Sequence, residues 1–127
     1  MPLFFRSDEK PVVEFDPRVE LSPFTLFRRL REGKPLLLVD VRPEPLGKTL
    51  RGAEQLAGPE WEPPEGQDVL LFDDDGTAAV ATAQTLQARG HHAVRALFGG
   101  LQLYEFSLDP EVVGQETFLV SLDRNSD

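Results

Sequence analysis

Val69-Leu70-Leu71-Phe72-Asp73-Asp74-Asp75-Gly76-Thr77 passes from a wholly apolar run into three consecutive aspartates and a glycine. An apolar run of this length, halted by polar residues, fits a strand buried on both faces. The next residues, Thr77 to Arg89, are alanine-rich, carry Val80, Ala83 and Leu86 on one side, and meet Gly90 as a stop. A buried strand that passes through a short loop into a helix is the repeating unit of a parallel α/β sheet.

Working outward, the same signals recur. Leu36-Leu37-Leu38-Val39-Asp40-Val41-Arg42 is a second buried-strand run, and Ala93 to Leu97 a third, closed by Gly99-Gly100. Ser22-Pro23, then Phe24, Leu26, Phe27 and Leu30, then Gly33, spells a short amphipathic helix. Serine supplies the N-cap oxygen, proline suits the first helical position, and glycine suits the left-handed end. Leu101 to Leu108 reads as a further helix, ending near Asp109-Pro110. The pattern predicts an α/β fold: an open, mainly parallel central sheet with helices on both faces. Arg42 to Asp68 is the irregular part, with five prolines and a small strand expected at Ala53 to Leu56. Val12 to Phe15, running on toward Leu21, and Phe118 to Leu122 are strand-like ends that could pair with each other or extend a sheet edge. No repeat or linker divides the chain, which predicts one domain over residues 1–127.

Composition narrows the function. The 127 residues hold 13 Lys+Arg against 22 Asp+Glu, a formal charge of −9, so an anionic membrane surface or a nucleic acid would repel the chain. The acidity is uneven, because no basic residue lies between Arg51 and Arg89, where eight acids do. There is no cysteine, which excludes disulfides, thiolate metal sites and cysteine-nucleophile mechanisms. With two histidines, adjacent at His91 and His92 in a turn, a zinc site is poorly supplied, and no metal or other cofactor is expected. No apolar run reaches membrane-spanning length, and the opening Met-Pro-Leu-Phe-Phe-Arg lacks the form of a signal peptide, so a cytoplasmic location is expected.

The loop after the central strand resembles two families. Asp73-Asp74-Asp75-Gly76-Thr77 matches the Asp-x-Asp-Gly-Thr signature of haloacid-dehalogenase-type phosphatases, in which the first aspartate is the nucleophile and the motif helps bind magnesium. That chemistry also needs a later lysine and a further acidic pair. Lys10, Lys34 and Lys48 all lie upstream, and only 50 residues follow Thr77.

The broader resemblance, over about residues 20–106, is to a single rhodanese-homology domain, with residues 1–19 and 107–127 as extensions. Ser22-Pro23 opening a helix and Asp40-Val41-Arg42 ending a strand resemble that family's entry helix and Asp-Val-Arg strand end. Thr49-Leu50-Arg51-Gly52-Ala53 stands where the family carries His-Ile-Pro-Gly-Ala. Gly99-Gly100-Leu101 with Tyr104 resembles its Gly-Gly-x-x-x-Trp ending. The resemblance makes residues 73 to 78 the family's active-site loop, Cys-x-x-Gly-x-Arg. Asp73 then falls at the persulfide-forming cysteine, Asp74 and Asp75 follow, Gly76 is the loop glycine, Thr77 the variable position, and Ala78 replaces the arginine. It also implies that Asp40 and Arg42 brace neighbouring loops.

A carboxylate cannot carry a sulfane sulfur, because the transfer needs a thiolate that attacks sulfur and later leaves. Sulfurtransferase chemistry by the family route is therefore excluded, as is its cysteine-dependent phosphatase counterpart, and no catalytic residue is assigned. The expected role is a binding or regulatory module with an unidentified protein partner or a second copy of the chain. The alternative is a hydrolase or phosphatase that uses the Asp73-Asp74-Asp75 cluster with a divalent metal. For the loop, two readings stand: solvated, helix-capping acids, or an Asp73 carboxylate turned inward onto the loop amides as an internal anion. Trp61, in an acidic proline-rich stretch, either anchors a partner or folds over the core. Phe4, Phe5 and Phe118 at the ends suit a dimer contact or a core lid.

Overall fold

A computed structural model describes residues 14–122 except 59, 110, 112, 113 and 115. Ten elements follow in order: β1 (Glu20–Leu21), α1 (Pro23–Glu32), β2 (Leu37–Asp40), β3 (Lys48–Leu50), β4 (Glu54–Gln55), β5 (Val69–Phe72), α2 (Thr77–Ala88), β6 (Val94–Leu97), α3 (Gly100–Ser107) and β7 (Leu119–Ser121). Five strands form one parallel sheet in the order β1-β6-β5-β2-β4. β5, at its centre, is buried at every position, as its unbroken apolar run requires.

The alternation of side chains along the strands sorts the core into two halves. Val39, Val69, Leu71, Val94 and Ala96 face α2 and meet its Ala79, Ala83 and Leu86. Leu38, Leu70, Phe72 and Leu97 face the other way, toward Leu26 and Phe27 of α1 and Leu101 and Tyr104 of α3. Helices thus cover both faces, as the sequence predicts. The ends of α1 are those read from the chain: the Ser22 side chain accepts from the Thr25 N–H, Pro23 opens the helix, and Gly33 closes it at φ 72°.

The chain ends differ from expectation. Val12 and Val13 lie outside the described residues, and Glu14 and Phe15 form no strand. The Val19 and Glu20 amides close a turn on the Asp16 carbonyl, so the strand begins only at Glu20, where it pairs with β6. β7 does not join it; it pairs antiparallel with β3 in a separate two-stranded sheet. Phe118, at φ 72°, lies against Phe27 on the core, while Phe4 and Phe5 fall outside the described residues. Among the described residues no helix is long and apolar enough to cross a membrane.

Candidate functional site

β2 and β5 are neighbours, yet the chain leaving β2 turns toward β4 while α2, leaving β5, leads to β6. That divergence at the carboxyl edge of a parallel sheet is where α/β proteins place their ligand crevice. The segment 73–78 sits there.

Its first aspartate turns inward. Asp73 is buried at 6% exposure, its Oδ1 accepting from the Gly76 N–H at 2.7 Å and its Oδ2 from the Ala78 N–H at 2.9 Å. The loop folds this way because Gly76 takes φ 95°, a left-handed conformation that aims successive amides at one point. Burial pushes the Asp73 carboxyl above its usual range, outweighing the stabilisation of its anion by those amides, with Asp75 adding like-charge repulsion. Asp75 remains exposed and accepts from the Thr77 N–H at 3.0 Å, so two of the three acids serve the N-terminus of α2.

Asp74 points elsewhere. Its Oδ1 receives Arg42 Nη1 at 2.9 Å. Arg42 is itself buried and forked onto Asp40, Nε to Oδ1 at 3.0 Å and Nη2 to Oδ2 at 2.8 Å. The same guanidinium donates to the Leu46 carbonyl at 3.0 Å and the Lys48 carbonyl at 2.8 Å. Pairing with Asp40 raises the Arg42 guanidinium further above its usual range. Asp40 and Arg42 therefore brace the loops, as their resemblance implies. The counter-charge of Asp74 is 32 positions away, a link that appears only once Asp40 is set opposite Phe72 by the β2–β5 register.

The other wall is the start of α3. The Leu101 and Gln102 amides donate to the Asp73 and Asp74 carbonyls at 2.8 and 3.0 Å. This approach demands glycine: a Cβ on Gly100 would lie 2.4 Å from the Asp74 carbonyl carbon and oxygen. The Gly-Gly pair that the sequence marks as a strand terminator is thus also a docking surface for the loop.

The three carboxylates diverge, one inward, one to Arg42 and one to the helix start. Among the described residues no group of three or more His, Asp or Glu side chains is placed to hold a metal ion. His91 lies in its turn with Nε2 3.7 Å from Glu62. Trp61 packs against the core half that faces α2.

A parallel α/β sheet whose strand–loop–helix anion cradle is filled by its own carboxylate is the class of domain these features define. No family model and no curated protein matches the chain. Solved structures do. A rhodanese homolog from the extremely thermophilic bacterium Thermus thermophilus is 32% identical, the match covering 66% of this chain and 98% of that one with a TM-score of 0.53. A rhodanese-related protein from Thermoplasma volcanium shares the fold at 15% identity, 70% and 92% coverage and a TM-score of 0.59. So does a Rhodopseudomonas palustris protein of unknown function, described as a possible tyrosine phosphatase, at 17% identity, 72% and 82% coverage and a TM-score of 0.60. The chain belongs to the rhodanese-homology family, and it has no cysteine.

Proposed function

We propose that this domain is a catalytically silent member of its family that works as a binding or regulatory module. The observation that carries the reading is the Asp73 carboxylate, which takes up the Gly76 and Ala78 amides that an anionic donor or a bound sulfur would need. Three further points support it. Asp73 stands at the position corresponding to the family's nucleophile, Ala78 offers no cation at that of the loop arginine, and Asp74 and Asp75 keep negative charge on the loop. A formal charge of −9 disfavours nucleic acid and anionic membrane, so the partner we infer is a protein, met in the cytoplasm.

The test is thiocyanate formation from thiosulfate and cyanide by the wild-type chain and by the Asp73→Cys/Ala78→Arg variant. The wild type is expected to stay at the uncatalysed rate. Turnover above that rate, dependent on protein concentration and lost in Asp73→Ala, would overturn the reading. Hydrolysis of a phosphate ester by the wild type with Mg²⁺, lost in the same variant, would favour the metal-dependent alternative.

A further inference from the structure

We propose that a cleft on the α2 side of the sheet is a binding site for a small amphipathic carboxylate, an apolar body carrying one negative charge. The inference goes beyond the binding-module reading, which concerns residues 73–78, and gives the domain a small-molecule ligand.

The cleft, about 560 Å³, lies between α2 and the stretch after β4. Small-molecule sites occupy roughly 300–1,000 Å³. Val41, Leu56, Trp61 and Leu86 give the cleft an apolar lining, continuous with the core half that faces α2, and Thr82 and Thr85 line its helix side. Its origin lies in the sequence. α2 packs over β5 and β6, and the described residues of 56–68, Pro63 and Pro64 among them, form no helix to roof the β2–β4 side. Apolar side chains that such a helix would cover are left around a trough.

Charge selects the occupant. Arg42 and Arg89 are the charged residues of the lining, and no acid lies among the described lining residues. The two cations differ in what they can offer. All five N–H groups of Arg42 are spent, on Asp40, Asp74 and the Leu46 and Lys48 carbonyls. Arg89 is exposed, and its guanidinium has no hydrogen-bond or ion-pair partner among the described residues. It directly follows α2, at the helix end that carries partial negative charge. One unpaired guanidinium in that position suits a monoanion better than a phosphate dianion, and its planar fork matches a carboxylate. The net charge of −9 acts the same way, repelling a polyanion far more than a single charge met by Arg89. Arg42 ties the cleft to the loop, since it both lines the cleft and holds Asp74.

Trp61 is the sole tryptophan and lines the cleft, so its emission reports occupancy. A panel of alkyl carboxylates from butyrate to decanoate, with phenylalkanoates, is titrated against the whole chain beside the amide of each acid. Trp61 emission and thermal melts are the readouts. Wild type, Arg89→Gln, Arg89→Lys and Arg28→Gln are compared. The Arg89 side chain is exposed and unpaired, so its replacement leaves the fold in place; Arg28, exposed on α1 across the sheet, controls for net charge.

Acids with an apolar body are expected to shift Trp61 emission, raise the melting temperature and bind about tenfold more tightly than their amides. Arg89→Gln should abolish that preference, Arg89→Lys should retain part of it, and Arg28→Gln should leave it unchanged. No acid binding below about 1 mM, or acids no tighter than their amides, would overturn the proposal. So would a preference indifferent to Arg89→Gln, or one lost equally in Arg28→Gln. Acidic peptides that need Arg89 where the small acids fail would also overturn it, because the occupant would then be a protein segment. Thiocyanate turnover by the wild type would strike the catalytically silent reading and leave this site standing.

Discussion

Replacing Arg42 with methionine probes the brace beneath the loop. Methionine keeps much of the side-chain volume and removes every donor. Asp40, 4% exposed, then becomes a buried carboxylate without its fork, and the Leu46 and Lys48 carbonyls lose their shared donor. Removing one partner of a buried pair costs about 3–5 kcal/mol, because the stranded charge stays desolvated. The Asp74 bond adds less than about 1 kcal/mol, since that carboxylate is 61% exposed and rehydrates. Against a typical stability of about 5–15 kcal/mol, the variant should still fold, melting roughly 10–20 °C lower. Urea unfolding of Arg42→Met, Asp40→Asn and the double variant forms a cycle, and the double should lose markedly less than the sum of the singles. A loss below about 1 kcal/mol, additive with Asp40→Asn, would refute the idea that this guanidinium holds the loops.

Three further outcomes are expected. Because burial raises the folded-state Asp73 carboxyl, its protonation adds stability that is present at low pH and lost as pH rises through the folded value. Wild type should therefore gain on Asp73→Asn as melts are taken from neutral pH down toward about 4; a flat or reversed trend would contradict the assigned cause. Gly100→Ala should cost more than about 2 kcal/mol by driving a Cβ into the Asp74 backbone, whereas Gly66→Ala, at φ 75° with open space around it, should cost only about 1 kcal/mol. Equal losses in denaturant would dismiss the close approach as the reason. Tyr104→Phe removes a buried hydroxyl donating to the Thr117 carbonyl at 2.6 Å and should cost about 1–2 kcal/mol without altering far-UV dichroism.

What the chain disclosed in advance was the part governed by local rules. Val69 to Phe72 and Leu37 to Asp40 are strands because their apolar runs can be buried on both faces, and Ser22, Pro23 and Gly33 end α1 by their own backbone and side-chain chemistry. Lys48-Thr49-Leu50 gave no such sign, being too short and too polar to announce a strand. The run around Leu119–Ser121 reads as a strand but does not name its partner, since the pairing joins segments about seventy positions apart. The site divides in the same way. Asp73 and its amides lie within five residues of one another, so the inward-turned carboxylate could be framed as an alternative from sequence. The Arg42–Asp74 link depends on strand register, and the cleft beside Trp61 on where α2 stops covering the sheet. Neither quantity is a property of any one segment.

The filling of the loop by Asp73 has one more consequence. A sulfur held among converging amides would be easily oxidised, and its loop would exist in several chemical forms according to the surrounding redox poise. A carboxylate in that place has no such ladder to climb. Peroxide, disulfides and thiol reductants should leave this loop unchanged, so its conformation is fixed across conditions that would recast a thiol-bearing relative.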